Sequence, residues 1–275
     1  MFAAASARAG AVAINAVRLV FAFVFLAVTI LVMRLDTLPS SSQLSLLSIS
    51  GFFGLVVGDS FLFKAYETIG PRVSMLVMSL APGIAAVLAY IFLGESPGAL
   101  GLGGMALTLA GVMLVVAERG TRIESGRTQR VGIAYAFLGA LGQAAGLIFA
   151  KQAFNLRALD GFLAAIVRVG VAVLLLLPGL LATRRYRNDA RVIFVEKRVL
   201  MLTVLASVLG PFLGISFSLI AVSHTEVGIA ATLMSLPPII MLPIARYYFR
   251  ETLSWRAVAG ALLAVAGVAL LFFRA

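Results

Sequence analysis

Apolar residues run along the chain in nine stretches, at about 11–33, 46–66, 72–93, 98–117, 131–154, 161–182, 200–222, 227–249 and 255–273. Most reach the ~20 residues that a helix needs to cross a bilayer. None alternates apolar and polar positions as a barrel strand would. A backbone in lipid must satisfy its own hydrogen bonds, so each stretch predicts a transmembrane helix. The longest polar connections are 118–130 and 183–199. The expected class is an all-α, polytopic helix bundle with nine visible spans.

Composition agrees with the pattern. Apolar residues make up 62% of the chain and charged residues 12%, too few for the surface of a water-soluble fold. The net charge of +11 does not point to nucleic acid, because Lys and Arg gather in loops between spans. With no cysteine, disulfides, thiol catalysis and thiolate metal sites are excluded. The N-terminus lacks the charged, apolar, then cleavage-site order of a secretory signal.

The two sides of the 118–130 connection repeat one another. Aligning Gly58 with Gly214 sets an offset of 156 residues that holds without a gap to Leu114 and Leu270. On this register Ser60 meets Ser216, Met78-Ser79-Leu80 meets Met234-Ser235-Leu236, and Pro82 meets Pro238. Glu95 meets Glu251, Gly104 meets Gly260, and Gly111-Val112 meets Gly267-Val268. Upstream, Ala16-Val17-Arg18 resembles Ile166-Val167-Arg168. The expected division is a first repeat over 1–117, a linker over 118–130 and a second repeat over 131–275. The second repeat carries five spans and the first shows four, so the helix matching 131–154 is missing from the first. A unit of five spans is inserted upside down relative to its twin, which makes the repeat inverted.

These features resemble the drug/metabolite transporter superfamily and, within it, the EamA-type transporters with two five-helix repeats. The doubled Met-Ser-Leu-x-Pro at 78–82 and 234–238, the Glu after each of those helices, the glycine-rich last helices and the early Arg18 and Arg168 carry the likeness. The resemblance implies a membrane transporter of small solutes, with family members that export amino acids, other metabolites and drugs.

Several positions suit a transport site. Pro82 and Pro238 lie mid-span, and a proline frees the carbonyl four residues back, here Met78 and Met234. Such breaks, at matching depth in two repeats, point to a binding site, although kinks healed by Ser79 and Ser235 would serve packing alone. Asp59 is the one acidic residue well inside a span. By helical rise, Asp59 and Arg18 both lie ~10 Å from the same membrane face. They can form a structural ion pair, or Asp59 can handle substrate or protons. The second repeat keeps Arg168 but has Ile215 where the first has Asp59. Gln143 sits near mid-span and either reaches the cavity or bonds between helices. The candidate substrate-binding set is Asp59, Ser60, Met78, Ser79, Pro82, Gln143, Ser216, Met234, Ser235 and Pro238.

Other polar residues read as structural. Lys64 and Lys151 near helix ends can snorkel, Glu95 and Glu251 can cap helices or bond between loops, and the lone His224 falls at a loop. Gly104/Gly111, Gly260/Gly267 and Gly142-x-x-x-Gly146 suit close helix packing. No hydrolase triad, metal cluster or phosphate loop is present in the sequence, so no enzyme, metal or cofactor is expected.

The expected function is a secondary transporter that exports small metabolites such as amino acids, by alternating access about a mid-membrane cavity. The alternative is a non-transporting membrane scaffold or accessory subunit. Expected partners are a small-molecule substrate and membrane lipid, and the expected location is a bacterial inner membrane. The Lys and Arg excess in 118–130 and 183–199 places those loops in the cytoplasm, and Ala275 outside.

Overall fold

The computed structural model describes residues 11–35, 37–118, 127–182, 191–237, 239–240, 242 and 254–273. Eight of its helices are long and apolar enough to cross a membrane: Ala13–Met33, Ser41–Pro71, Val73–Leu93, Gly98–Val116, Thr128–Leu156, Gly161–Gly179, Lys197–His224 and Trp255–Phe273. No strand occurs among the described residues. The ninth predicted span, 227–249, starts as a helix, breaks after Met234, and lies outside the described residues from 243 onward. Leu31 and Leu174 are 77% and 72% exposed at mid-length or near the ends of their spans, which suits lipid and not water.

The helices in order are α1 (Ala11–Met33), α2 (Ser41–Gly51), α3 (Asp59–Met78), α4 (Ala81–Leu93), α5 (Gly98–Glu118), α6 (Arg127–Leu156), α7 (Gly161–Ala182), α8 (Lys197–Ser207), α9 (Leu213–His224), α10 (Val227–Met234) and α11 (Trp255–Phe273). The second span begins at Ser41, five residues before the apolar run does. Ser40 and Gln43 form a capping box there, the Ser–x–x–Gln signal of a helix start. Gln43 also donates to the Ala153 and Arg157 carbonyls, at 3.1 and 2.8 Å, and so ties α2 to the end of α6.

Both repeats bend at matching points. Phe52–Gly58 between α2 and α3, and Val208–Phe212 between α8 and α9, are wound as π-helix. Their first residues are 156 apart, the offset found in the sequence. Pro211, which has no N–H to donate, sits inside the second. Next, α3 turns sharply at Gly70, whose φ of 78° and ψ of 161° suit glycine, followed by Pro71. At the corresponding place in the second repeat, α9 ends and α10 starts at Val227.

Glycine seams bring the helices into contact. Gly142 and Gly146 of α6 lie against Gly58 and Gly54: a Cβ at Gly142 would come within 2.8 Å of the Gly58 Cα, and one at Gly146 within 3.0 Å of the Gly54 Cα. The Ser50 hydroxyl donates to the Gly146 carbonyl in the same seam. The other seam joins the last helix of each repeat, α5 and α11. Gly104 faces Gly267, and Gly111 faces Gly260. The pairing is crosswise, as a two-fold relation between inverted repeats requires.

Candidate functional site

The two mid-span interruptions have the same local chemistry. α3 ends at Met78, Ser79 and Leu80 form a turn, and α4 restarts with Pro82 in its first turn. In the second repeat α10 ends at Met234, and Ser235 and Leu236 leave the helix. The Ser79 hydroxyl donates to the Leu76 carbonyl at 2.6 Å, and the Ser235 hydroxyl to the Thr232 carbonyl at 2.7 Å. Each serine therefore satisfies a helix carbonyl three residues back.

The interruptions face one cavity of about 370 Å³, walled by both repeats. Met78, Ser79, Pro82, Gln143, Met234 and Ser235 of the candidate set line it. Its size is within the usual range for small-molecule sites, and its wall is mostly apolar with a few polar groups.

Beside the cavity sits a buried charged cluster. Arg18 Nη2 donates to Asp59 Oδ2 at 2.5 Å, and the pair is almost wholly removed from solvent. Arg18 Nε donates to Asn15 Oδ1 at 2.9 Å, and its guanidinium lies 5.1 Å from the centre of the Phe63 ring. Gln143 Nε2 donates to Asp59 Oδ1 at 2.7 Å and to the Gly54 carbonyl at 3.2 Å. The glycine seam positions this: with side chains at Gly58 or Gly142, α6 would stand too far off for Gln143 to reach Asp59. Gln143 thus bonds between helices and also borders the cavity.

Four members of the candidate set stand outside the described cavity wall. Asp59 is buried behind Gln143 and does not line the cavity wall. Ser60 is exposed on the outer side of α3, because one residue further along a helix points ~100° away from Asp59. Ser216 is buried, yet its hydroxyl donates to the Phe212 carbonyl of its own helix at 2.7 Å, and the cavity wall is formed by its neighbour Ile215. Pro238 lies outside the described residues, as does Glu251. The wall also holds Pro237, Ser218 and Arg168, absent from the set.

The Lys151 amino group donates to the Val222 and Thr225 carbonyls, both at 2.9 Å, and so covers the carbonyl end of α9. Lys64 lies 5.2 Å from the centre of the Tyr135 ring, and Tyr135 stacks on Phe61 at 5.9 Å. His224 is exposed at the end of α9, near Ser223 and the Ile220 carbonyl. Glu95 Oε2 accepts the Val227 N–H at 2.6 Å, so a carboxylate from the first repeat caps α10 of the second. Burial pushes the Glu95 carboxyl above its ordinary range, although the Val227 N–H and Lys151 pull the other way.

The sequence pattern of the EamA-like transporter family matches residues 1–117 and 130–273. The chain belongs to the EamA-like transporter family. It is accordingly a multi-pass membrane protein of a drug/metabolite-type transporter class, with a small-molecule substrate and a lipid surround. This EamA-like chain also shares its fold with a protein of known crystal structure. That likeness has a TM-score of 0.74 at 15% identity, over 98% of this chain and 90% of the other. No curated protein matches the chain.

Within the EamA-like fold, Arg168 is the functional candidate that sequence reading passed over. It is 3% exposed, seven residues into α7, and lines the cavity. Its likeness to Arg18 was the available signal, together with Ile215 standing where a matching acid would be.

Proposed function

We propose that this protein is a secondary transporter that exports small metabolites from a bacterial cytoplasm by alternating access. The observation that carries this reading is a cavity walled by matching helix interruptions of both repeats. A scaffold has no use for two symmetric breaks around an internal space, whereas a transporter needs a site that either half can open. The π-wound segments and the Gly70 turn supply bends, and the glycine seams supply rigid pieces between them. Solute flux into proteoliposomes tests it. Flux of small metabolites above that of protein-free vesicles supports transport, and none across a broad metabolite panel supports the scaffold reading.

Ser79→Leu and Ser235→Leu are expected to reduce that flux by roughly tenfold while shifting thermal stability little. Apolar bulk added to a substrate pocket costs about 1–3 kcal/mol of binding, and ~1.4 kcal/mol is a tenfold loss of occupancy. The lost hydroxyl bond costs only about 1 kcal/mol of stability. Normal flux in both purified variants would remove the cavity from the transport path.

The orientation reading places 118–130 and 183–199 in the cytoplasm. Arg119, Arg122, Arg127, Arg130, Arg184, Arg185, Arg187, Arg191, Lys197 and Arg198 belong to these two segments. Near the other face are Arg34, Lys151, Arg157 and Arg274, and there the Lys151 charge is directed at the α9 carbonyls. A cysteine replacing Ser125 is expected to resist an impermeant thiol reagent in intact cells, and one replacing exposed Ser42 to react. The chain has no native cysteine to confuse the labelling, and the opposite pattern would invert the topology.

A further inference from the structure

We propose that the central cavity selects a small organic monoanion with an apolar body, whose acidic group is bound by Arg168. This rests on reading that cavity as the transport site, and it is narrower than the metabolite class given above.

The first observation is an unanswered donor. Arg168 is buried within a membrane-spanning segment, and no described residue accepts a hydrogen bond from its Nε. A charge held in a span is costly unless it is paired or faces a cavity. An unmet buried donor adds about 1–3 kcal/mol to that cost. Arg168 is also the charged member of the described cavity wall. Its Nη2 lies against Gly54, where a Cβ would come within 2.9 Å, so the glycine makes room for the guanidinium.

The second observation is the broken symmetry of the repeats. Arg18 has Asp59 as its acid, at 2.5 Å. The position corresponding to Asp59 in the second repeat is Ile215, and it lines the same cavity as Arg168. One repeat therefore holds its acid covalently, and the other leaves open space where an acid would complete the set. Among the described residues of the cluster, two guanidiniums face one carboxylate, which leaves a single positive charge for a ligand to neutralise.

The third observation separates an anion from a zwitterion or a cation. No Asp or Glu occurs among the described cavity-lining residues. Asp59, the nearby carboxylate, has one oxygen bonded to Arg18 and the other to Gln143, and stands behind the wall. An ammonium group would thus enter beside a cation with no free carboxylate to meet it. The Leu, Met, Val, Ile, Ala and Pro side chains that make up most of the wall suit a hydrocarbon body.

Four probes on one carbon skeleton test the charge: 4-methylpentanoate, 4-methylpentanamide, 4-methylpentylamine and the zwitterion leucine. Calorimetric binding to the purified protein is expected to favour the carboxylate at least tenfold over the other three. Arg168→Gln should weaken carboxylate binding about 10- to 100-fold, the loss of a charge-assisted bond, and weaken amide binding far less, because the amide carries no charge. Arg168→Lys should fall between, because the point charge stays and the planar fork is lost. The unfolding midpoint of Arg168→Gln should change little, since the Nε that is removed has no acceptor to lose. Ile215→Asp supplies the acid internally and should abolish carboxylate binding with Arg168 intact, which keeps the test decisive if Arg168→Gln folds poorly. Preference for amine or leucine, binding of none of the four, or carboxylate binding indifferent to both variants overturns the proposal. If the carboxylate binds and none crosses a vesicle membrane, the transport reading fails and the anion site stands. If amine or leucine crosses and the carboxylate does not, the transport reading stands and the anion site fails.

Discussion

Gly111→Ala and Gly267→Ala each lower the thermal-unfolding midpoint of the purified protein by roughly 5–10 °C, whereas Gly103→Ala on the same helix as Gly111 does not. At Gly111 an added Cβ meets the Gly260 carbonyl and the Ala264 backbone nitrogen, and at Gly267 it meets the Thr108 backbone nitrogen. Backbone atoms in two packed helices cannot move aside as a side-chain tip can, so α5 and α11 must separate. Overpacking costs about 1–3 kcal/mol, and each kcal/mol moves the midpoint of a chain of this length by about 2–4 °C. Gly103 has nothing within 4 Å of its would-be Cβ, and alanine there improves helix propensity. Differential scanning fluorimetry in one detergent checks all three variants. Equal midpoints for wild type, Gly111→Ala and Gly267→Ala would show that the seam is not tight.

The second large effect concerns Arg18 and Asp59. Arg18→Gln and Asp59→Asn are each expected to destabilise by about 3–5 kcal/mol, because each strands one buried charge. The double variant should lose less than the sum, with a coupling of about 0.5–3 kcal/mol, since both charges leave together. The 2.5 Å contact, and the second Asp59 oxygen held by Gln143, are the basis for expecting coupling. Additive losses in a thermal-stability cycle would mean that the two residues do not support each other. Loss of proton-driven flux in Asp59→Asn, with stability unchanged, would instead assign Asp59 to coupling.

Much of this arrangement was legible in the residues. Met-Ser-Leu-x-Pro marked the depth of both interruptions because proline and the turn before it leave a strong local signature, and the structure breaks at Ser79 and Ser235. Depth, which helical rise supplies, allowed an Arg18–Asp59 pair, and the two side chains are in contact. Facing was harder. Helices apolar on every side carry little moment, so the reading could not tell that Ser60 looks outward or that Ser216 bonds within its own helix. The π-wound segments have no sequence period of their own, and Lys151 near a helix end gave no hint that α9 would finish beside it. The Ser40–Gln43 box was readable and marked the true start of the second span. Arg168 was visible as the twin of Arg18, but its meaning depends on the cavity, which only packing reveals.

The crosswise glycine contact has a consequence for how such a chain can be assembled. Each repeat contributes the same patch, Gly104 and Gly111 from one and Gly260 and Gly267 from the other, and each glycine meets its counterpart's partner. A surface that complements an upside-down copy of itself needs no covalent link to find that copy. Two separate polypeptides, each one repeat long and inserted in opposite senses, would present the same faces to one another. The fused gene therefore fixes the stoichiometry and the pair of orientations, while the adhesive surface belongs to the half-length unit. Fusion also frees the halves to diverge away from that surface, which is how one of them can hold Asp59 while the other holds Ile215.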